Sequence, residues 1–174
     1  LTRSSAASDV YKRQEQSRRL ILGRSGLTAV LVNPPRMRQR LCSELAAEFG
    51  SRVTLESTAP ETNGVVCCSW GWWLSHQHLL PEPEQLIAGM LPIASREDPL
   101  TAARVESLKR QGRDWFRSLL LPEALAILIP AIASLRQSGG RLAILDGRVR
   151  GRSWGEHVLR ALEPWEALQR LRPD

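Results

Sequence analysis

The sequence predicts a three-layer α/β domain built on a mainly parallel sheet. Short β-rich apolar runs alternate with segments of helical period, the pattern of right-handed strand–helix–strand units. The run Leu27–Val32 (LTAVLV) is apolar without a break, as expected of a strand buried on both faces. The stretch Leu121–Trp165 reads as an apolar helix to Arg136, a Gly-Gly turn, a short buried strand (LAILD), an Arg-rich loop and a last helix opening at Ser153-Trp154-Gly155. Ligands of open α/β sheets gather outside the carboxyl ends of the strands, so this last unit also marks the expected working edge.

The elements follow in order. Gln16–Leu22 is predicted as the tail of a helix that Gly23 stops. After Leu27–Val32, the Asn33-Pro34-Pro35 turn leads into a helix starting at Pro35 or Arg36. Met37, Leu41, Leu45 and Phe49 line one face of it at i, i+4 spacing, and Gly50 closes it. Arg52–Glu56 and Gly64–Ser69 read as a second and a third strand. Trp70–Pro81, rich in Trp and His, fits neither period. Gln85–Leu91 is a further strand candidate, Pro92–Pro99 a loop, and Leu100–Ser118 a helix weakened at Gly112.

The bulk properties bound the function. At 174 residues and 43% hydrophobic content the chain is one domain with an adequate core. No run reaches the roughly 18 apolar residues of a membrane span; Pro122, Glu123 and Pro130 interrupt the longest, so no membrane partner is expected. A charge of +6 favours an anionic partner, nucleic acid being the commonest. Cys42, Cys67 and Cys68 show no metal-ligand spacing, and His76 and His78 lack a third ligand, so no metal site is expected. An odd cysteine count without a secretory signal is expected of a reduced, cytoplasmic setting.

The segment Leu1–Gln14 stands apart. The chain has no initiator Met and is expected to be truncated upstream. SSAASDVYKRQ (Ser4 to Gln14) has no hydrophobic period and resembles a translated sequencing-adapter remnant, so residues 1–14 are expected to be artefactual and disordered and residues 15–174 to form the domain. Without that segment the net charge is about +4.

The order of these signatures resembles the C-terminal, RecA-like domain of DinG/XPD-type superfamily 2 DNA helicases, above all the divergent DinG-like proteins of cyanobacteria. LTAVLVNPPRMRQRL is similar to the family's opening strand and following helix. Cys68–Pro81 lies where the family has a segment like SFWEGVDVPG, and Leu86–Leu100 retains the LP and DPL of a third motif. In the last unit Leu121-Pro122, Ala124, Arg136, Ser138, Gly140, Ile144–Asp146, Arg148 and Gly155 fall in step. The resemblance covers about Gly26 to Trp165.

The resemblance implies a RecA-like fold and the second motor domain of an ATP-dependent DNA helicase. This domain would contribute single-stranded DNA contacts and one side of an ATP cleft shared with an upstream RecA-like domain of the same parent chain. The phosphate loop, G-x-x-x-x-G-K-[ST], is absent here; the family places it upstream together with the Mg-binding carboxylates. ATP and Mg are thus cofactors expected of the intact parent, and this chain alone is expected to be inactive and to hold no catalytic residue. The arginine-finger position corresponds to Ala133, and the family's Gln and Gly-Arg pair are missing before Arg136. Those departures keep open an alternative, a degenerate helicase-like module that binds nucleic acid or protein without hydrolysis.

Within that frame each candidate has two readings. Trp72 and Trp73 either stack bases of single-stranded DNA or fill the core; as neighbours they are expected to point one in and one out. Arg148, Arg150 and Arg152 either grip phosphates or form a solvated loop. Arg136 either reaches a nucleotide at the domain interface or caps a helix C-terminus, the latter being favoured. Asp146, ending the strand, is placed to orient Arg148.

Overall fold

The computed structural model describes residues 2–168. Helix α1 (Thr2–Ile21) precedes strand β1 (Leu27–Leu31), helix α2 (Pro35–Phe49), strand β2 (Val53–Leu55) and strand β3 (Val65–Cys68). Helix α3 (Trp70–His76), strand β4 (Pro83–Ala88), helix α4 (Pro99–Arg110), helices α5 (Leu121–Ala131) and α6 (Ala133–Ser138), strand β5 (Arg141–Ile144) and the short helices α7 (Arg148–Gly151) and α8 (Gly155–Ala161) complete the order. The five strands are ordered β2-β3-β1-β4-β5 and every pairing is parallel. This is the expected α/β/α architecture, consistent with a RecA-like domain.

β1 is central. Val30 pairs with Cys67 on one side and Ile87 on the other, which is why all five of its residues are buried. Alternation along the strand feeds two cores. Val30 and Val32 pack with Ile21, Leu41 and Leu45 beneath α1 and α2. Ala29 and Leu31 pack on the opposite face with Trp70, Trp73, Leu128, Leu135 and Val158 of α3, α5, α6 and α8.

Three expectations are corrected below. Residues 2–14 are placed in one continuous helix with 15–21. Ser17 and Ile21, four residues apart and both fully buried, fix the end of that helix against the core, and Arg18 pairs with Glu48 of α2 at 2.7 Å. Once a turn is fixed, each further residue adds one hydrogen bond at little cost, so the helix propagates backwards.

The helix predicted to run from Leu121 to Arg136 breaks at Ile132, where φ and ψ are −93° and 7°. Side chains of α3 and the turn after it take over the carbonyls freed there. Trp73 Nε1 donates to the Ala131 oxygen at 2.7 Å, and Gln77 Nε2 donates to that of Pro130 at 3.0 Å. Gln77 Oε1 then accepts from Ser134 Oγ at 3.0 Å, bridging the break.

The helix expected over Leu100–Ser118 stops at Arg110. Gly112 takes φ +66°, and a wide helical turn at Phe116–Leu120 leads into α5. β5 is less buried than an apolar run implies, because it pairs only with β4 and leaves its outer edge open. The Trp-rich segment that fitted neither period is helical, with Ser69 Oγ capping α3 through Trp72 N at 3.1 Å.

Candidate functional site at the carboxyl edge of the sheet

The chain leaves β1 toward β2 and leaves the adjacent β4 toward β5, so the switch point of this sheet lies between β1 and β4. Side chains lace the carboxyl ends of all five strands together there. Beyond β1, Asn33 Oδ1 accepts the Trp70 backbone N–H at 3.0 Å, and Arg38 Nη1 donates to the carbonyls of Val32 and Asn33 at 3.1 and 2.7 Å. Beyond β2, Glu56 Oε1 accepts the Ser69 N–H at 3.2 Å and lies 3.8 Å from Arg38. Glu56 holds φ +49°, a left-handed conformation that costs a non-glycine residue about 1–2 kcal/mol. Beyond β3, Trp70 Nε1 donates to the Met90 carbonyl at 2.9 Å, which ties that strand end to β4.

Asp146 closes the lacing at β5. Its Oδ2 accepts the Leu91 N–H at 3.1 Å, and Arg148 grips both oxygens, Nε on Oδ1 at 2.9 Å and Nη2 on Oδ2 at 2.6 Å. Burial by itself pushes the Asp146 carboxyl up. The Arg148 guanidinium and the two backbone N–H groups outweigh burial and hold it below the usual carboxylate range. The same pairing raises the Arg148 guanidinium. The sequence placed Asp146 to orient Arg148, and the geometry is that arrangement.

The other candidates separate. Trp73 is fully buried and spends its indole N–H on α5, so it is core and offers no surface for stacking; that reading is corrected. Trp72 is half-buried, with one face taken by the His76 ring at 4.4 Å and 13°. His76 Nδ1 lies 2.7 Å from the Trp72 carbonyl, which accounts for that histidine. Arg150 and Arg152 are exposed on and just after α7 and make no ion pair among the described residues. Arg148 is half-buried and held by Asp146.

Arg136 caps a helix other than its own. Its Nη1 donates to the Pro164 carbonyl at 3.0 Å and its Nη2 to that of Leu162, closing the end of α8. Arg136 is itself exposed, with Nη1 and Nη2 turned to the end of α8 in this arrangement. Among the described residues no cluster of three His, Cys, Asp or Glu side chains is placed to hold a metal. Nor is any described helix long and apolar enough to cross a membrane.

Sequence reasoning missed a second aromatic–basic group. Arg96 lies over the Trp115 ring at 4.5 Å and Lys109 at 6.0 Å. The run KRQGRDW carried a signal for it, since basic residues flank an aromatic across a glycine turn.

No protein-family profile matches the chain. It is 28% identical over 130 residues to the ATP-dependent DNA helicase YoaA of Haemophilus influenzae, covering 73% of this chain and 20% of that helicase. It is 34% identical over 82 residues to the ATP-dependent DNA helicase YoaA of Escherichia coli, covering 45% and 13%. It is 35% identical over 75 residues to the 3'-5' exonuclease DinG of Bacillus subtilis, covering 41% and 8%.

The chain is related to the DinG-like helicases. It spans a fifth or less of the length of the relatives it matches. Two stretches that resemble the DinG-like pattern, Cys68–Pro81 and Ile144–Gly155, both begin at the carboxyl edge, at the ends of β3 and β5.

Proposed function

We propose that the chain is the second, C-terminal RecA-like motor domain of a DinG-like ATP-dependent DNA helicase of the divergent cyanobacterial type. It supplies single-stranded DNA contacts and one side of an ATP cleft completed by an upstream RecA-like domain. The observation that carries this reading is the kinship to DNA helicases over 130 residues that make up only 20% of the matched protein. A chain of this size on a parallel sheet, with basic residues outside the strand ends, suits one half of such a motor. In the parent, ATP and Mg would be held mainly by the upstream domain, and the protein would work with DNA in the cytoplasm.

In this chain, Arg150 and Arg152 provide sequence-independent phosphate contacts, with Arg148 set beside them by Asp146. The exposed part of the half-buried Trp72 ring offers a stacking surface. The test is binding of a labelled single-stranded oligonucleotide across a salt series. An R150A/R152A variant removes two phosphate contacts and should flatten the slope of log K against log salt by about 1.4, at about 0.7 per contact. An unchanged slope overturns the assignment of these arginines.

Two observations favour a second reading, a helicase-like binding module without hydrolysis. The finger position is Ala133, and Arg136 is engaged with the carbonyls that end α8. Recovery of the parent gene separates the two: an upstream phosphate loop and acidic box support the motor, and their loss supports the module.

A further inference from the structure

The connection between α4 and α5 carries a charged group that the strand-end lacing does not use. Trp115 follows the Gly112 turn, and two cations share its ring, Arg96 from the loop before α4 and Lys109 from the last turn of α4. The ring is anchored from below. Phe116 meets it edge-on at 6.1 Å and in turn packs against Trp154 at 5.1 Å, which is buried in the core beside α8.

The cations are not neutralised. Arg96, Lys109 and the neighbouring Arg113 are all exposed and make no ion pair among the described residues. The nearby acids are largely committed: Asp98 caps α4 through the Thr101 N–H and hydroxyl, each at 2.9 Å, and Asp114 pairs with Arg117 at 3.6 Å. Glu97 and Glu106 are exposed carboxylates on the same stretch of chain. Arg117 Nη2 also donates to Ser153 Oγ at 2.9 Å, fastening this connection to the segment that carries Arg150 and Arg152. The two basic segments are tied to each other at that bond.

We infer that Arg96 and Lys109, held over the Trp115 ring, form a phosphate-gripping site that extends the nucleic-acid surface from α7 across the α4–α5 connection. The ligand is the backbone of a single strand, and the inference rests on the proposed function above. A planar guanidinium fork and a compact ammonium are complementary donors for phosphate oxygens. Two like charges held over one indole repel each other, and an arriving anion relieves that repulsion. The cations occupy the ring, so Trp115 is a positioning residue rather than a stacking platform, and this part of the surface reads no bases.

The experiment uses the full chain and a labelled single-stranded oligothymidylate of about twenty nucleotides, matched by an oligoadenylate. R96A/K109A should flatten the salt slope by about 1.4 and weaken both oligonucleotides alike, by roughly tenfold or more at low salt. Its thermal midpoint should stay that of the parent, and R96Q/K109Q serves as a second variant with the same expectation. W115L keeps both charges but removes their support; it should weaken binding severalfold with the slope unchanged, and W115F should restore it. If R96A/K109A keeps the parental slope while R150A/R152A loses it, this inference falls and the proposed function stands. If the parent chain binds neither oligonucleotide, both fall.

Discussion

Asp146 and Arg148, two residues apart, close a two-point ion pair on a carboxylate only 3% exposed, and that carboxylate also accepts the Leu91 N–H of the neighbouring strand end. Asp146→Ala leaves the Leu91 N–H without its acceptor and Arg148 without its partner. Because the Arg148 side chain is 41% exposed, water recovers part of the loss, and the expected destabilisation is about 1–3 kcal/mol. Urea unfolding measures it; an unchanged midpoint would contradict the coupling of β4 to β5.

The same pair sets a pH dependence. The folded-state carboxyl is held below its ordinary value, so its stabilisation is fully present above the unfolded value of about 3.9 and is lost as pH falls through the folded value. The stability difference between the parent and Asp146→Asn should be flat from about pH 8 to pH 5 and shrink below about pH 4. A difference that grows toward low pH would reverse the assignment.

The two adjacent tryptophans should behave oppositely. Trp73→Ala empties a fully buried site and frees the Ala131 carbonyl, and should destabilise by about 3–5 kcal/mol. Trp72→Ala removes a half-buried ring at the margin of the core, so it should destabilise by less and weaken single-strand binding by about 1–3 kcal/mol for a stacked base. Paired melting and binding curves decide it, and equal melting losses would show that both rings are structural.

Arg136→Ala should loosen the end of α8. Losing its charged bonds to the Leu162 and Pro164 carbonyls should cost about 1–2 kcal/mol, or roughly 2–8 °C in Tm. Hydrogen exchange should quicken at the Leu162 and Glu163 amides, which close the helix onto Leu159 and Arg160. Protection unaltered at those amides would free Arg136 for another role.

ATP turnover by this chain should not exceed background, with or without single-stranded DNA. It carries no G-x-x-x-x-G-K-[ST] phosphate loop. Phosphate release near 1 s⁻¹, the low end of ordinary enzyme turnover, would overturn the half-motor reading.

The strands were legible because each apolar run, such as Leu27–Val32, is short, β-rich and bounded by turn residues. The break at Ile132 was not, because its cause lies far along the chain, whereas the stop near Gly112 was marked by that glycine. Nothing near Ile132 announces that Trp73 and Gln77 will take the carbonyls of Ala131 and Pro130. The Asp146–Arg148 pair is local and was readable; the opposite fates of Trp72 and Trp73 depend on which face of α3 meets α5. The group at Trp115 went unread because Arg96 reaches it from the far side of α4.

The lacing at the strand ends has a mechanical meaning. Each tie runs sideways from one strand to another: Asn33 to Trp70, Glu56 to Ser69, Trp70 to Met90, Asp146 to Leu91. A pull delivered to any one of these termini is shared with its neighbours as shear across the edge rather than peeled away strand by strand. Two cuts in adjacent ties should therefore cost more than the sum of the single cuts, and the rim should give way as one piece.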